Sequence, residues 1–364
     1  MVVEKYLVAL RKRGTFYVMK SVEQVLTCGA SGVVYASTFG GHIALGYRKS
    51  LDESAPQPIT YSDSFDLASI TKIMSTTAIV MELIKAKELK LSDRASAYLP
   101  QWKNEKAEIT IEDLLRHRSG LPPWRPLYIR HSTTEAAHET IARDPLAHPV
   151  NTVRAYSDLG FISLGLIIST ITGKDFSTSF HELIAQPFGL TQTRFSTPVT
   201  EAVSTSRGDR FVKEMVESNI PFQVPESAEE FSGWRKEILT GEINDGNAFH
   251  LFKGISSHAG LYSTAQDVLT FSEEISQHSL FPLFTEEGPD QNAHLAFMSW
   301  VDTVDGCTDT FYGHTGFTGG AFGISRAHGE VVVLLANRLH TDGALTPTST
   351  YFAQTLHEAH SHLH

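Results

Sequence analysis

"SITK", residues Ser69 to Lys72, is the stretch on which the interpretation of this chain depends. In a helix, Ser69 and Lys72 share one face, with Cβ atoms about 5 to 6 Å apart. The residues that follow, "IMSTTAIVMELI" (Ile73 to Ile84), are apolar on several faces, which predicts a helix that runs through the protein interior. The sequence therefore places a hydroxyl and an amine side by side at the start of a buried helix.

A lysine in this position can act as a base. Burial disfavours the charged ammonium, so the pKa of Lys72 is expected to fall, and an amine that loses its proton near neutrality can deprotonate the Ser69 hydroxyl. The alternative is an exposed Lys72 beside an ordinary serine, because about one Ser-x-x-Lys is expected by chance in such a chain. This motif alone does not distinguish the two interpretations, and other segments of the sequence are needed.

Two further segments carry polar groups at the start of a helix and beside a strand. "AYSDLGFISLG" places Tyr156 and Asp158 directly before an apolar helix, which Ser157 or Asp158 would cap. "GHTGFTGGAFG" places "HTG" (His314 to Gly316) on or beside a strand, with glycines that permit close approach of a ligand. Taken singly, a tyrosine belongs more often to the core and a lone histidine more often has a structural role.

Together, the three segments resemble the motifs of the serine β-lactamase and penicillin-binding-protein superfamily. The resemblance is to the branch that holds class C β-lactamases, DD-peptidases, D-aminopeptidases and family VIII esterases. Ser69-Ile-Thr-Lys72 matches its Ser-x-x-Lys, Tyr156-Ser-Asp158 stands in place of Tyr-x-Asn, and His314-Thr-Gly316 in place of Lys-Thr-Gly. With "LLRHRSGLPP" and "SSHAGLYSTAQDVLTF", the resemblance extends from about Gly32 to Arg338.

The resemblance implies a role for each residue. Ser69 would attack a carbonyl to form an acyl-enzyme, while Lys72 and Tyr156 pass its proton to the leaving group. Backbone N–H groups of Ser69 and Phe317 would hold the oxyanion. Neither a metal nor a cofactor is implied. The residues expected to bind substrate or form the oxyanion site are Asp158, His314, Thr315, Gly316 and Phe317.

Two departures from the family pattern bear on the substrate. Asp158 replaces an amide with a carboxylate, which favours a protonated Lys72 and opposes the effect of burial. His314 replaces a lysine, and a neutral imidazole holds a substrate carboxylate less strongly than an ammonium does. We therefore expect an esterase or a DD-peptidase or D-aminopeptidase-like enzyme with weak or no β-lactamase activity. The alternative is a catalytically silent sensor or scaffold that keeps the fold.

The predicted fold class is α/β plus α, with an antiparallel sheet flanked by helices and an inserted, mainly helical lobe. Near the N-terminus we expect a helix around Phe16 to Leu26 and a hairpin that turns at Gly40–Gly41. The C-terminal part shows four strand-like runs and a closing helix from about Pro347. Helical periodicity marks the middle of the chain, in the ranges Thr71 to Leu89, Ile111 to His117, Thr133 to Arg143, Asp158 to Thr172 and Phe176 to Phe188.

This pattern predicts two lobes. Residues 1–85 and 255–364 would form the α/β lobe, and residues 86–254 the helical lobe, with the active site in the cleft between them. Long loops are expected from about Thr197 to Gly254, where Ser, Glu, Pro and Gly are frequent and periodicity is weak. Within that range, Glu226 to Trp234 would line the cleft or form a surface loop.

Composition restricts the partners. The 364 residues carry a formal net charge of -11 without a basic cluster, which argues against nucleic acid. No apolar run approaches the roughly 20 residues needed to cross a bilayer, and no secretory signal is evident. We therefore expect a cytoplasmic protein with two reduced cysteines and a small-molecule or short-peptide substrate. The oligomeric state is left open.

Overall fold

A computed structural model of the chain describes residues 10–12, 15–17, 19–38, 41–48, 56–195, 198–341 and 343–362. Its strands are β1 (Leu10–Lys12), β2 (Thr15–Tyr17), β3 (Gly32–Ser37), β4 (His42–Gly46), β5 (Phe65–Asp66), β6 (Ser204–Arg207), β7 (Ile238–Thr240), β8 (Tyr262–Ser263), β9 (Met298–Val304), β10 (Cys307–Thr315), β11 (Ala321–Ser325) and β12 (Val331–Ala336). Its α-helices are α1 (Lys20–Thr27), α2 (Ala78–Lys85), α3 (Ile111–Leu115), α4 (Thr134–Arg143), α5 (Asp158–Thr172), α6 (Phe176–Phe180), α7 (Arg210–Ser218), α8 (Ala265–Ser276), α9 (Phe281–Phe284) and α10 (Thr348–Ser361).

The main sheet has six strands in the order β4-β3-β12-β11-β10-β9, and every neighbouring pair is antiparallel. The central strand β12 is buried along its whole length. Because side chains alternate between the two faces of a strand, such a run requires cover on both faces. The sheet therefore lies between two layers of helix, and it joins strands from the two ends of the chain as the sequence predicts.

The alternation can be followed residue by residue. Val33 and Val332 pack with residues of α1 and α10 in one apolar cluster, whereas Val34 and Val333 belong to a second cluster with residues of α2, α5 and α8. At about 1.5–3 kcal/mol for each large apolar side chain, this burial is the main force that holds the layers together. The second cluster continues into the helical middle of the chain.

Helix α5 crosses the core and carries the second polar segment at its start. Ser157 caps it, because its hydroxyl accepts a hydrogen bond from the Gly160 N–H at 3.2 Å, and Gly173 ends it in a left-handed conformation with φ of 66°. The predicted range Asp158 to Thr172 is confirmed, and Ser157 is the cap.

Within the described ranges, no single helix is both long and apolar enough to cross a membrane. The bent pair of helices Asp158–Thr172 and Phe176–Ala185 meets that requirement only when the two are taken together, by length and composition.

Three predicted elements differ from the structure. The N-terminal helix begins at Lys20, and the residues before it include strand β2, which pairs with β1. The range Phe176 to Phe188 is not one α-helix, because α6 passes into a π-helical turn at His181–Ala185. The range Thr197 to Gly254 is not mainly loop, since it holds β6, α7 and β7.

Helix α7 shows why that range was misread. Its buried residues Val212 and Val216 lie four positions apart and form a narrow apolar stripe, whereas its other residues are mostly polar or charged. Because glycine and proline flank this nine-residue helix, its helical periodicity is difficult to recognise in the sequence.

The hairpin at β3 and β4 is confirmed, but Gly40 of its predicted turn lies outside the described residues. The lobe boundaries near residues 86 and 254 stay a prediction.

Candidate active site

Ser69 lies in a single 3₁₀ turn, Ala68–Ile70, directly after β5. The preceding residue, Ala68, has a left-handed backbone with φ of 44°, which costs a non-glycine residue on the order of 1–3 kcal/mol. Asp66 holds this turn, because its Oδ1 accepts from the Ala68 N–H at 2.9 Å and its Oδ2 accepts from the Asn244 N–H at 2.7 Å. Burial raises the pKa of Asp66 to about 6, against the effect of these hydrogen bonds. The Ser69 hydroxyl is thus presented from a strained but firmly tied turn.

Lys72 is completely buried at the start of a π-helical segment, Lys72–Thr77, that leads into α2. Its Nζ donates to Ser69 Oγ at 2.9 Å and to the His258 carbonyl oxygen at 3.0 Å, and it forms an ion pair with Asp158 Oδ1 at 2.7 Å. Three acceptors therefore surround the three N–H groups of an ammonium. This arrangement places the first predicted pair and Asp158 in direct contact.

Two opposing effects determine the charge of Lys72. Burial lowers its pKa, but the Asp158 carboxylate beside it, with a further contribution from Tyr156, raises the pKa above the usual range. The expectation of a lowered pKa from burial is therefore wrong for this arrangement, and the opposing effect expected from Asp158 prevails. Lys72 is an ammonium at neutral pH.

Tyr156 lies over Lys72, with its ring centroid 5.0 Å from Nζ. Burial raises the pKa of its phenol, although the neighbouring ammonium opposes this. The hydroxyl approaches Ser69 and Lys72 without completing a hydrogen bond to any described residue. His117 packs against the ring with centroids 4.4 Å apart and accepts from the Ser157 N–H at 2.9 Å. The ring orientation of Tyr156 is therefore fixed by its neighbours.

His314 on β10 lies behind Tyr156, with the two ring centroids 5.9 Å apart. It is 2% exposed, and its Nδ1 donates to the Thr315 carbonyl oxygen at 2.6 Å. Burial and the nearby Lys72 ammonium lower its pKa to about 3. The imidazole is consequently neutral near pH 7 and keeps its Nε2 as an acceptor.

The loop after β10 differs from the expectation that the whole third segment faces substrate. Phe317 lines the cavity over Ser69, but His314, Thr315 and Gly316 are not among the described residues that line it. The Thr315 hydroxyl is directed to Met298 Sδ at 3.9 Å, and Gly316 packs against Leu67, whose carbonyl oxygen would lie 2.5 Å from an added Cβ. Contact of His314 and Thr315 with substrate stays a prediction.

The backbone of Phe317 is held in place by its neighbours. The Arg338 Nε donates to the Phe317 carbonyl oxygen at 2.7 Å, and the guanidinium lies 5.0 Å from the centre of the Phe317 ring. Thr318 donates to the Asp66 carbonyl oxygen at 2.6 Å, which joins this loop to the strand before Ser69. Among the described residues, no acceptor pairs with the Phe317 N–H, so this donor is available to a ligand.

A cavity of about 290 Å³ opens above Ser69. The polar residues that line it are Ser69, Tyr156, Asp158, Asn244, Asp245 and His258. Its apolar wall is formed by residues of α7, the segment after α7, and the loops that follow α3 and β10, including Val212, Met215, Pro221, Phe222, Pro123, Trp124 and Phe317. The three segments that lie far apart in sequence therefore meet in one crevice.

Asp245 and His258 are the site residues that sequence analysis did not single out as polar groups of the cavity. His258 Nε2 lies 3.0 Å from Asp245 Oδ1, its Nδ1 lies 2.7 Å from Ser256 Oγ, and its carbonyl oxygen binds Lys72. No sequence period connects the two, so only the fold brings them together. The acidic and aromatic range Glu226 to Trp234 packs against Tyr128, and none of its residues is among the described residues that line the cavity.

The family can be assigned at this point. The family model described as Beta-lactamase matches residues 18–355. The chain belongs to the Beta-lactamase family. Its resemblance to the serine β-lactamase and penicillin-binding-protein superfamily is confirmed, and the chain is a member of this superfamily of serine hydrolases.

Relatives of this Beta-lactamase family member carry several names. It is 27% identical to the N-acetylmuramyl-L-alanine amidase of Bacillus subtilis (strain 168), over 88% of this chain and 80% of that protein. It is 26% identical to a putative D-alanyl-D-alanine carboxypeptidase of Escherichia coli (strain K12), over 85% of this chain and 76% of that protein. A class C β-lactamase from Rhodobacter sphaeroides superposes with a TM-score of 0.69 at 17% identity, covering 94% of this chain and 98% of that one. The predicted fold class is confirmed.

The neutral state of His314 has a measurable consequence for stability. Because its pKa is near 3 in the folded protein and about 6.5 when unfolded, the unfolded chain takes up a proton first as the pH falls. Stability is therefore lost as pH decreases below 6.5, by about 2 kcal/mol between pH 8 and pH 5 through this residue. Urea unfolding of wild type and His314→Gln at both pH values measures this loss, which the variant should lack. An equal loss in both proteins contradicts the assignment.

Proposed function

We propose that this chain hydrolyses esters or amides through an acyl-enzyme on Ser69. The observation that carries the proposal is the contact of Lys72 Nζ with Ser69 Oγ at 2.9 Å, at the base of a cavity that can admit a substrate. The serine oxygen would form a bond to the substrate carbonyl carbon, and the bond to the leaving group would break. Water would then release the acyl group by the reverse path.

Proton transfer would involve the groups in contact with Ser69. For Lys72 to accept the hydroxyl proton, it must first give up one of its own, and the Asp158 carboxylate, 2.7 Å away, is the acceptor in contact with it. Tyr156 would deliver a proton to the leaving group as it departs. The Phe317 N–H, held in place by Arg338, would donate to the developing oxyanion together with the Ser69 N–H.

The charge of the cavity bears on the choice of substrate. Penicillins and D-Ala-D-Ala termini carry a carboxylate, but no lysine or arginine is among the described residues that line the cavity, which instead presents Asp158 and Asp245. A lost charge-assisted hydrogen bond costs about 1.5–3 kcal/mol. We therefore propose that β-lactams are poor substrates and that neutral or cationic esters, amides or short peptides are preferred.

A substrate panel tests this proposal. We expect kcat/KM on nitrocefin to be about 10- to 100-fold below that on 4-nitrophenyl acetate, because the site lacks the cation that would bind the nitrocefin carboxylate. Intact-mass spectrometry after treatment with a fluorophosphonate should show one adduct, on Ser69. Nitrocefin turnover equal to ester turnover contradicts the substrate preference, and the absence of any adduct supports the catalytically silent binding protein instead. Cytoplasmic location stays a prediction.

A further inference from the structure

The resting arrangement of the site holds its own base inactive. Lys72 Nζ donates to Ser69 Oγ and to the His258 carbonyl oxygen, and the Asp158 carboxylate is paired with its charge at 2.7 Å. An ammonium in this state has no lone pair with which to accept the Ser69 proton. A substrate that weakens the hold of Asp158 on Lys72 would thus activate the site.

Asp158 and Asp245 form a pair at the base of the cavity. Their side chains are 16% and 21% exposed, and one oxygen of each lies within 4.8 Å of the other and of a nitrogen of His258. Asp245 Oδ1 accepts from the Ala248 N–H at 2.7 Å and contacts His258. Among the described residues, Asp158 Oδ1 is buried and has no hydrogen-bond partner beyond its ion pair with Lys72. Two carboxylates at this separation can bind one ammonium nitrogen between them.

The charges around this pair leave a place for a cation. Lys72 is the ammonium that Asp158 contacts, the His258 imidazole contacts Asp245 at 3.0 Å, and His314 and His117 are kept neutral, since burial lowers the pKa of both. Asp66, near Asp245, adds negative charge when it ionises. In addition, the Tyr156 hydroxyl is buried at the cavity without a partner among the described residues. Two carboxylates, those of Asp158 and Asp245, therefore face the cavity, and no lysine or arginine is among the described residues that line it.

Resting on the proposed function, we propose that the substrate is an aminoacyl ester or amide whose free ammonium binds between Asp158 and Asp245 and thereby releases Lys72 to accept the Ser69 proton. The ammonium must lie near the scissile carbonyl, because Asp158 is two contacts, of 2.7 and 2.9 Å, from Ser69 Oγ. An α-amino group satisfies this requirement. The apolar wall at Trp124, Met215 and Phe222 fits a hydrophobic side chain on the same acyl group.

The release of Lys72 follows from electrostatics. A substrate cation beside Asp158 neutralises the charge that raises the pKa of Lys72, so the effect of burial, which lowers that pKa, then dominates. The proton that Lys72 gives up goes to the Asp158 carboxylate in contact with it, Asp245 keeps the substrate ammonium, and Lys72 takes the Ser69 proton as the oxygen bonds to the carbonyl carbon. The substrate thus contributes to activating the base that attacks it.

Three matched substrates test the inference. Alanyl, N-acetylalanyl and propionyl amides of one fluorogenic amine differ at the ammonium position, and the alanyl compound is used as both enantiomers. For wild type, we expect kcat/KM on at least one free-amine compound to exceed that on the other two by roughly tenfold or more, as expected for one charge-assisted contact. Similar values for all three compounds overturn the inference.

Single variants of Asp158 and Asp245 distinguish the roles of the two carboxylates. Asp158→Asn should raise kcat/KM on the propionyl amide at pH 7 and move its rise with pH to lower pH, because Lys72 loses the charge that holds its proton. Asp245→Asn should lower the preference for the free amine without raising the propionyl rate. Glu135→Gln, an exposed carboxylate on α4 that does not line the cavity, is the matched control and should leave the preference unchanged.

Failure of this inference is distinct from failure of the proposed function. If wild type forms the fluorophosphonate adduct and cleaves esters, but both aspartate variants keep the wild-type substrate preference, the ammonium site is wrong and the Ser69 hydrolase stands. If no adduct and no turnover are found, the proposed function fails. Activity that depends on added Zn²⁺ or Mg²⁺ and is lost with EDTA would assign Asp158, Asp245 and His258 to a metal instead and also overturn the inference.

Discussion

Ser69→Ala should reduce kcat/KM on every ester and amide that the protein cleaves by about 10⁴- to 10⁶-fold, and should abolish the fluorophosphonate adduct. In the proposed mechanism the serine oxygen bonds to the acyl group, and the neighbouring Tyr156 hydroxyl would not replace it. Tyr156 is a neutral phenol at pH 7, since burial raises its pKa. Single-turnover kinetics and intact-mass spectrometry measure the two effects.

Loss of activity in Ser69→Ala could arise from a damaged fold or from the missing nucleophile, and stability measurements distinguish the two. The alanine removes one hydrogen bond to Lys72, so the free energy of unfolding should change by only about 1 kcal/mol. Ser75→Ala is the matched control, because Ser75 is a buried serine on the same helical run whose hydroxyl donates to the Thr71 carbonyl oxygen at 2.6 Å. This control should keep activity within about threefold of wild type. Ser69→Ala protein with more than about 1% of wild-type activity would show that the acyl group is carried elsewhere.

Three groups contact Lys72, those of Ser69, Asp158 and His258, and they differ in how far the sequence predicts them. Ser69 lies one helical turn away, so its contact with Lys72 follows from local geometry alone. The contact with Asp158 follows from the resemblance of the three segments to a known family. The contact with the His258 carbonyl oxygen follows from neither, since 186 residues separate it from Lys72. Sequence predicted the first two neighbours and missed the third.

The charge of Lys72 shows a second limit of prediction from the sequence. Sequence analysis identified both effects on its pKa, burial and the Asp158 carboxylate, but their balance depends on distances. An ion pair at 2.7 Å outweighs the effect of burial on this pKa, and such an attraction weakens as the distance grows. The same holds for Asp158 and Asp245, whose proximity is set by how α5 packs against the segment before β8. No local pattern in the amino-acid sequence predicts a distance between side chains that lie on separate segments.

The fold, like the site, has elements that could be predicted from the sequence and elements that could not. Helix α5 could be bounded to the residue because an apolar run lies between a serine cap and a glycine in the left-handed conformation. The strands of the main sheet could be located from β-branched runs separated by glycine. Strand β6, strand β7 and helix α7 are too short for a period to stand out against their polar neighbours, yet α7 supplies part of the cavity wall. The apolar side of the substrate site was therefore absent from the prediction.

Replacement of Lys72 by methionine should decrease the rate of Ser69 acylation by at least about 10³-fold, since it removes the group that exchanges a proton with the serine. Methionine has a similar volume, so the packing of the helix is retained. The change also leaves Asp158 without its cation. Because that carboxylate is only 16% exposed, we expect the free energy of unfolding to fall by about 1–3 kcal/mol.

The double variant Lys72→Met with Asp158→Asn separates catalysis from stability. Its amide no longer requires a cation, so much of the lost stability should return, while acylation should stay as slow as in Lys72→Met. Urea unfolding measures the first quantity and single-turnover fluorophosphonate labelling the second. Recovery of both together would mean that Lys72 serves the fold and that another group accepts the Ser69 proton. Recovery of stability alone identifies the ammonium as a reactant whose activity Asp158 restrains.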